Sequence, residues 1–253
     1  MAPLVRLAGV GKTFDTGVTA LSGLDLTIDE GEFLSLLGPS GCGKTTALRI
    51  IAGLDAPTEG AIETTARTAG EGGLSFVFQD PTLMPWATVA DNVWLPLRLA
   101  GVSRRDAAAR IQAELARVGV ADFAKALPHE LSGGMRMRVA IARALITRPR
   151  LLLMDEPFAA LDEITRFRLN DDLRGLWRET GCTVVFVTHS VYESVYLSTR
   201  LAVMTRRPGR ILHEFSVDLP AERNEALRRD QFYLDLCAQA SAALARAQGE
   251  GVR

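Results

Sequence analysis

The sequence predicts an α/β fold whose core is interrupted by an inserted helical segment. Apolar stretches of strand length alternate with amphipathic stretches of helix length along most of the 253 residues. Between Thr88 and Thr147 the strand-like stretches stop, and the pattern becomes mostly helical. The length suits one large α/β domain or a core domain with one insert. We therefore expect a strand-and-helix core with a helical insert of about 60 residues and no separating linker.

The first third of the chain predicts three strands, a glycine-rich loop and a helix. Apolar stretches bounded by turn residues predict strands at Leu4–Val10, Leu24–Ile28 and Phe33–Leu37. The segment Gly38–Gly43 is rich in glycine, and the helix predicted over Lys44–Ala52 ends at Gly53. A further apolar strand is predicted at Leu74–Phe78.

The insert predicts at least two helices. Ser103 and Asp106 form a capping-box pattern, and Gly119 ends the helix that this pattern opens. The apolar stripe of that helix consists of Ala108, Ile111, Leu115 and Val118. A second helix is predicted from Gly134 to Thr147, and its arginines are expected to form a mostly solvated face.

Strand character returns in the last part of the chain. Apolar strands are predicted at Leu151–Met154 and Thr183–Val187, with a helix over Glu163–Thr180 between them. Two further strands flank an Arg-Pro-Gly turn, as in a hairpin, at Leu201–Met204 and Arg210–Val217. The tail from Ala221 is predicted to be helical, with one face formed by Leu227, Leu234, Cys237 and Leu244.

Composition narrows the functional classes. The 29 basic residues nearly balance the 30 acidic ones, and the net charge is −1. Because dedicated nucleic-acid binders usually carry a basic surplus, we expect no nucleic-acid partner. The cysteines Cys42, Cys182 and Cys237 are too few for a disulfide framework. Met1–Val10 lacks the apolar core of a signal peptide, and no stretch approaches the ~18 apolar residues of a membrane span. We expect a cytosolic chain that attaches to something in a membrane.

The segment from Gly38 to Thr45 matches the phosphate-loop pattern G-x-x-x-x-G-K-[ST]. It follows a predicted strand and opens a predicted helix, as the pattern requires. Glycines let backbone N–H groups surround phosphate oxygens, and the helix N-terminus adds its positive dipole end. Lys44 is expected to reach the β- and γ-phosphates, and the Thr45 hydroxyl to bind Mg²⁺. The expected phosphate contacts are Gly38, Ser40, Gly41, Cys42, Gly43, Lys44, Thr45 and Thr46.

Two acidic residues at the end of another predicted strand supply the groups expected for Mg²⁺ binding and for a general base. Asp155 and Glu156 follow the apolar strand Leu151–Met154. Asp155 is expected to hold Mg²⁺ through water, and Glu156 is placed to act as the general base on an attacking water. The pair could also serve only as a helix cap beside Pro157, although the phosphate loop makes that reading less favourable.

A second predicted anion site lies in the insert. Leu131-Ser-Gly-Gly-Met135 precedes a predicted helix, so Ser132, Gly133 and Gly134 sit at a positive dipole end. One γ-phosphate does not need two such sites in one chain. We therefore expect this site to serve a nucleotide held by another copy of the chain.

With these motifs in place, the sequence resembles the ATP-binding cassette (ABC) ATPases over nearly its whole length. Gly38–Thr45 is similar to their Walker A motif, Leu151–Glu156 to Walker B, and Leu131–Met135 to the LSGGQ signature. Gln79, Asp162 and His189 occupy the places of the Q-loop, the D-loop and the switch histidine. Met135 replaces the usual signature Gln, and Met137 replaces a commonly polar residue without an evident reason.

The resemblance implies a P-loop NTPase core with an antiparallel β subdomain and an inserted helical subdomain. It implies one ABC ATPase domain, with a core at about 1–87 and 149–220, a helical subdomain at about 88–148, and a C-terminal helix at about 221–253. Phe14 is implied to stack on adenine, Gln79 to serve phosphate and Mg²⁺, and His189 to sense the γ-phosphate. Asp162 is implied to link two ATP sites in a head-to-tail dimer whose signature residues contact the partner's nucleotide.

Within the family, the segment Phe78–Trp86, the Met-type signature and the Arg207–Arg210 turn look like those of the nitrate, sulfonate and taurine importers. The implied function is an ATPase subunit for uptake of a small anionic solute, with a membrane permease and a separate solute-binding protein as partners. Its implied place is the cytoplasmic face of the membrane. Thiamine-precursor importers look similar, and a non-transport ABC ATPase is the alternative from another class.

The loop after Gln79 is the expected permease contact. Pro81 and Pro85 favour a loop, which nevertheless contains Leu83, Met84 and Trp86. Exposed apolar clusters commonly mark protein contacts, and in the family this region receives a short permease helix. The alternative is that Trp86 packs beneath the insert as part of the core.

Overall fold

The computed structural model describes residues 3–66 and 72–249. The chain divides into two compact units, which are residues 3–66 with 183–249 (the first unit) and residues 72–182 (the second unit). The strands are β1 (Val5–Thr13), β2 (Thr19–Ile28), β3 (Phe33–Leu37), β4 (Glu59–Thr64), β5 (Leu74–Val77), β6 (Leu151–Asp155), β7 (Thr183–Thr188), β8 (Arg200–Met204) and β9 (Ile211–Ser216). The α-helices are α1 (Lys44–Ile51), α2 (Val89–Leu99), α3 (Arg104–Arg117), α4 (Gly133–Leu145), α5 (Glu163–Thr180), α6 (Val191–Leu197) and α7 (Gln231–Gly249).

The first unit contains an antiparallel sheet in the order β2-β1-β4. The sequence pattern did not predict β4, because that strand has no buried residue and therefore no apolar alternation. Buried residues of β1 and β2, including Leu7, Leu24 and Ile28, form the inner face of this sheet.

The first unit also places β3 between two parallel neighbours, β7 and β8, with β9 antiparallel to β8. All five residues of β3 and all six of β7 are buried. That burial explains why both strands appear in the sequence as continuous apolar stretches rather than alternating ones. Leu37 pairs with Thr188 at the ends of these strands. The segments that follow, which begin at Gly38 and His189, therefore leave the same edge of the sheet.

The second unit pairs β5 with β6 in parallel, and Val77 is opposite Met154. The loops after these strands, which carry Gln79 and Glu156, likewise leave one sheet edge. Ser103 accepts a hydrogen bond from the Asp106 N–H and caps α3, as the capping-box pattern predicted. The buried face of α3 contains Ala107 rather than the predicted Ala108.

The C-terminal helix differs from its prediction. A short 3₁₀ helix occupies Glu225–Arg229, and α7 begins only at Gln231. Leu234 is exposed, whereas the buried face of α7 consists of Tyr233, Leu236, Cys237, Ala240, Ala243 and Ala247. Alanines supply half of that face, and alanine gives a weak hydrophobic signal in a sequence pattern. Among the described helices, none is both long enough and apolar enough to span a membrane.

Candidate nucleotide-binding site

The glycine loop after β3 is packed so closely that side chains are excluded at two positions. A Cβ on Gly43 would lie 2.7 Å from the Leu21 side chain and 2.8 Å from the Ala20 carbonyl oxygen. A Cβ on Gly38 would lie 2.9 Å from the Cys42 sulfur. Gly41 and Gly43 also have positive φ angles of 73° and 108°. Gly38 is therefore required by space, Gly41 by its backbone conformation and Gly43 by both, as is typical of a phosphate-binding loop.

The start of α1 is suited to a bound anion. Its N-cap, Gly43, provides no side-chain hydrogen bond, and the first turn contains no acidic residue. The positive end of the helix dipole is thus not neutralised by the helix's own side chains. Lys44 is 4% exposed, and its Nζ donates to the carbonyl oxygens of Gly38 at 2.8 Å and Pro39 at 2.9 Å. Thr45 and Ser40 are exposed, and Thr46 is half-buried.

Phe14 lies at the end of the antiparallel sheet with its ring 39% exposed. The Lys12 Nζ lies 5.3 Å from the ring centroid and is held by Asp55 at 2.8 Å. Phe14 is therefore not buried in the core. An exposed aromatic face is available for a base to stack on.

His189 is exposed just after β7, in a loop with well-ordered hydrogen bonds. The Thr188 hydroxyl donates to the buried Glu193 carboxylate at 2.6 Å and accepts from the Ser190 N–H at 3.0 Å. Ser190 in turn caps α6 by accepting from the Glu193 N–H. Thr188 and Glu193 therefore fix the backbone on both sides of His189, a role that the sequence alone did not suggest.

The acidic pair after β6 has two different environments. Asp155 is 7% exposed at the end of a fully buried strand. Glu156 is half-buried and has a left-handed backbone with φ of 44°. This conformation costs a residue with a side chain about 1–2 kcal/mol. The Ala159 N–H donates to the Glu156 carbonyl at 3.2 Å, which places Glu156 in a turn rather than in the first turn of a helix. Strain of this kind is common at functional sites.

The Leu131–Met135 motif opens α4. Ser132 is the N-cap and accepts from the Met135 N–H at 3.3 Å, so part of its hydrogen-bonding capacity is used within the helix. A Cβ on Gly134 would lie 2.8 Å from the Thr165 methyl group, so this position is restricted to glycine. Met137 is 2% exposed, and this burial explains the apolar residue at a commonly polar position.

Three of the predicted motifs border one cavity of about 470 Å³ in the second unit. Gln79 comes from the loop after β5, Gly133 from the start of α4, and Leu161 from the segment before α5. Asp162 is the N-cap of α5 and accepts from the Thr165 N–H at 3.0 Å. This hydrogen bond lowers the pKa of the Asp162 carboxylate below its ordinary value, so the side chain stays ionised.

The loop after Gln79 is shaped by two residues that sequence reasoning missed. The Arg143 guanidinium donates to the carbonyl oxygens of Pro81 at 2.7 Å and Thr82 at 2.8 Å. The fully buried Asn92 side chain accepts from the Met84 N–H at 2.7 Å and donates to the Met84 carbonyl oxygen at 3.2 Å. The expected solvated arginine face of α4 is therefore wrong at Arg143, which is half-buried and whose guanidinium organises this loop.

Trp86 lies in the same loop and is 80% exposed. The alternative that it packs beneath the insert is therefore wrong. Leu83 and Met84 are half-buried beside it, because the hydrogen bonds to Asn92 draw this part of the loop inward.

Several known proteins are similar to this chain over most of its length. The ABC transporter family model matches residues 21–159. The chain is 49% identical over 209 residues to an uncharacterized ABC transporter ATP-binding protein of Methanocaldococcus jannaschii, which covers 82% of this chain and 78% of that protein. It is 47% identical over 233 residues to an aliphatic sulfonates import ATP-binding protein of Pseudomonas syringae, with 91% and 92% covered.

A solved structure gives the same result for the fold. The chain resembles the ATP-binding cassette MJ0796 in a dimeric post-hydrolysis state bound to ADP and Pi, with a TM-score of 0.75 and 34% identity. The match covers 85% of this chain and all of that one. The mixed α/β fold expected from the sequence is thus confirmed, and this chain belongs to the ABC transporter family as an ATP-hydrolysing cassette.

Proposed function

We propose that two copies of this chain pack around two ATP molecules, and that hydrolysis drives a membrane importer for a small anionic solute. The observation that carries the proposal is the pair of anion-type helix starts at α1 and α4, which belong to different units of the chain. Each is a positive helix end with no acidic residue in its first turn. The dimeric state of the similar cassette structures supports a partner copy as the source of the second contact.

The proposed chemistry gives each motif of the sequence a role. Lys44 and the loop amides bind the phosphates, and Phe14 stacks on the adenine. Glu156 accepts a proton from the attacking water, and His189 contacts the γ-phosphate. Ser132, Gly133 and Gly134 face the nucleotide of the partner copy, with Asp162 between the two sites.

The oxygens available for Mg²⁺ are of the types that this ion prefers. They are the hydroxyl of Thr45, the amide oxygen of Gln79 and the carboxylate of Asp155. The low exposure of Asp155 fits this role, because a buried carboxylate at a strand end benefits from a cation. When bound, Mg²⁺ would neutralise charge on the β- and γ-phosphates.

The solute we propose is an aliphatic sulfonate or a similar small anion such as taurine or nitrate. Relatives named as aliphatic sulfonates import ATP-binding proteins support this class, including one that is 47% identical over 224 residues. A permease and a solute-binding protein complete the importer, and we place the chain on the cytoplasmic face of the membrane.

Growth on defined sulfur sources tests the solute. A strain without this chain should fail to grow on an aliphatic sulfonate as its sole sulfur source, yet grow normally on sulfate. The parental chain should restore growth, and Lys44→Ala should not. Normal growth of the deletion strain with a sulfonate or taurine as sulfur source and with nitrate as nitrogen source, together with a new requirement for thiamine, would instead favour a thiamine-precursor importer.

The exposed Trp86 is the proposed contact with the permease. Trp86→Ala should leave ATP hydrolysis by the isolated chain nearly unchanged, because most of the Trp86 side chain is exposed to solvent. Loss of an interface tryptophan commonly costs about 2 kcal/mol or more, which is roughly a 30-fold loss of affinity. Co-purification of the permease and solute uptake should both fall accordingly.

The matched control is Leu99→Ala, because Leu99 is also 80% exposed but lies at the end of α2. It should leave permease binding intact. If Trp86→Ala and Leu99→Ala retain the permease equally well, the loop is not the docking site.

A further inference from the structure

The turn between β8 and β9 is a closed structure that is pressed against the phosphate loop. We call Thr205–Arg210 the hairpin turn. The Thr205 hydroxyl donates to the Pro208 carbonyl oxygen at 3.2 Å and accepts from the Arg210 N–H at 3.1 Å. The Thr205 N–H donates to the Arg210 carbonyl oxygen at 3.0 Å. These three hydrogen bonds close the turn on itself.

Gly209 brings the backbone of the hairpin turn into direct contact with the phosphate loop. A Cβ at this position would lie 2.1 Å from the Cys42 carbonyl oxygen, so only glycine fits. The Gly209 N–H donates to the Ala20 carbonyl oxygen at 2.8 Å, and its carbonyl accepts from the Ser22 N–H at 3.2 Å. The hairpin turn is therefore attached to β2 while it packs against the loop.

Arg207 adds a specific hydrogen bond to this contact. Its Nε–H donates to the Gly41 carbonyl oxygen at 3.1 Å, although the side chain is otherwise exposed. The Gly41 carbonyl and the Cys42 N–H belong to one planar peptide group. The Cys42 N–H donates to the Pro39 carbonyl oxygen at 3.3 Å. Both ends of this peptide are thus held, one by the loop itself and one by Arg207.

The phosphate loop has hydrogen bonds of its own, from Lys44 to Gly38 and Pro39 and from Cys42 to Pro39, but none of these holds the Gly41 carbonyl. Gly41 and Gly43 lack side chains and can adopt many conformations, so ordering them has a high entropic cost. A hydrogen bond from outside the loop reduces the number of conformations that compete with the binding-ready one.

We propose that Arg207 is a positioning residue for ATP, which holds the Gly41–Cys42 peptide so that the loop is preformed before the phosphates arrive. The proposal rests on ATP binding at this loop. The proposed role is the hydrogen bond from Nε to the Gly41 carbonyl oxygen and not a contact of the guanidinium charge with phosphate, so an uncharged donor at the same place should serve as well.

Three variants test the proposal. Arg207→Ala removes the donor, and Arg207→Gln keeps an uncharged N–H donor the same number of bonds from the backbone. Arg206→Ala is the control, because it removes a neighbouring arginine of the same turn whose backbone N–H donates to Ala247. Arg207→Ala should raise the KM for ATP about three- to tenfold, the scale of one lost hydrogen bond, with kcat nearly unchanged. Arg207→Gln and Arg206→Ala should both stay close to the parental KM.

The thiol of Cys42 reports on the loop without nucleotide. Cys42 is 1% exposed, so we expect its thiol to react slowly with a maleimide in the parental chain. An accessible thiol at a helix N-terminus would instead be labelled rapidly. In Arg207→Ala, Cys42 should become labelled at least several-fold faster than in Arg206→Ala. Cys182 and Cys237, which are buried elsewhere, should keep their slow rates.

The outcomes separate the possible roles of Arg207. Equal Cys42 labelling in Arg207→Ala and Arg206→Ala overturns the positioning role, whatever the ATPase assay shows. Faster labelling of all three cysteines also overturns it, because the effect is then a general loss of stability. If Arg207→Gln matches Arg207→Ala in KM, the charge is what matters, and the proposal is again wrong. Faster labelling of Cys42 alone supports it even if the site binds a ligand other than ATP.

Discussion

Glu156→Gln is expected to reduce ATP hydrolysis by a factor of about 10² to 10⁴, which is the usual contribution of a general base. The amide is nearly isosteric with the carboxylate but cannot accept the proton of the attacking water. Glutamine tolerates the left-handed backbone at this position no worse than glutamate, so the turn after β6 should keep its shape. ATP binding should therefore persist, and steady-state hydrolysis measures the loss directly.

Trapped dimers give the second measurement on this variant. If two copies close around ATP and open only after hydrolysis, Glu156→Gln should elute as a dimer from size-exclusion chromatography with ATP and Mg²⁺. Glu163→Gln is the matched control, because Glu163 is an exposed carboxylate in the first turn of α5. Parental hydrolysis by Glu156→Gln would show that another group serves as the base.

The elements that carry these predictions were the ones most easily recognised in the sequence. Continuous burial makes β3, β6 and β7 mostly apolar stretches, and each leads directly into a motif, which carries Gly38, Glu156 or His189. The place of Gly43 in the phosphate loop could be predicted from the sequence, because both its backbone angle and the close packing around it require glycine. In such places local pattern and tertiary packing demand the same residue.

Other features depend on contacts that local pattern does not encode. The exposed strand β4 is held by pairing with β1, and its own residues bury almost nothing. Arg143 looked like a surface residue, because only the folded loop brings the Pro81 carbonyl within reach of its guanidinium. The pairing of Arg207 with Gly41 spans 166 positions of the chain and could not be read from either segment alone.

Lys44→Ala is expected to weaken ATP binding itself, in contrast to Glu156→Gln. Lys44 is the charged group of the phosphate loop, and its ammonium also donates two hydrogen bonds to the loop's own carbonyl oxygens. A charged hydrogen bond contributes about 1.5–3 kcal/mol, so losing the phosphate contacts should weaken ATP binding by roughly 10- to 100-fold or more. Titration with a fluorescent ATP analogue measures this loss. ATP should raise the melting temperature of the parent but not that of the variant.

A second substitution separates the charge of Lys44 from its packing. Because the side chain is only 4% exposed, alanine leaves a void that could itself disturb the loop. Lys44→Met fills most of that space with an unbranched apolar chain and removes only the ammonium group. It should lose ATP binding to the same extent as Lys44→Ala, whereas Lys125→Ala, at an exposed lysine, should bind like the parent. Retention of ATP binding by Lys44→Met would mean that the loop needs the volume of this side chain and not its charge.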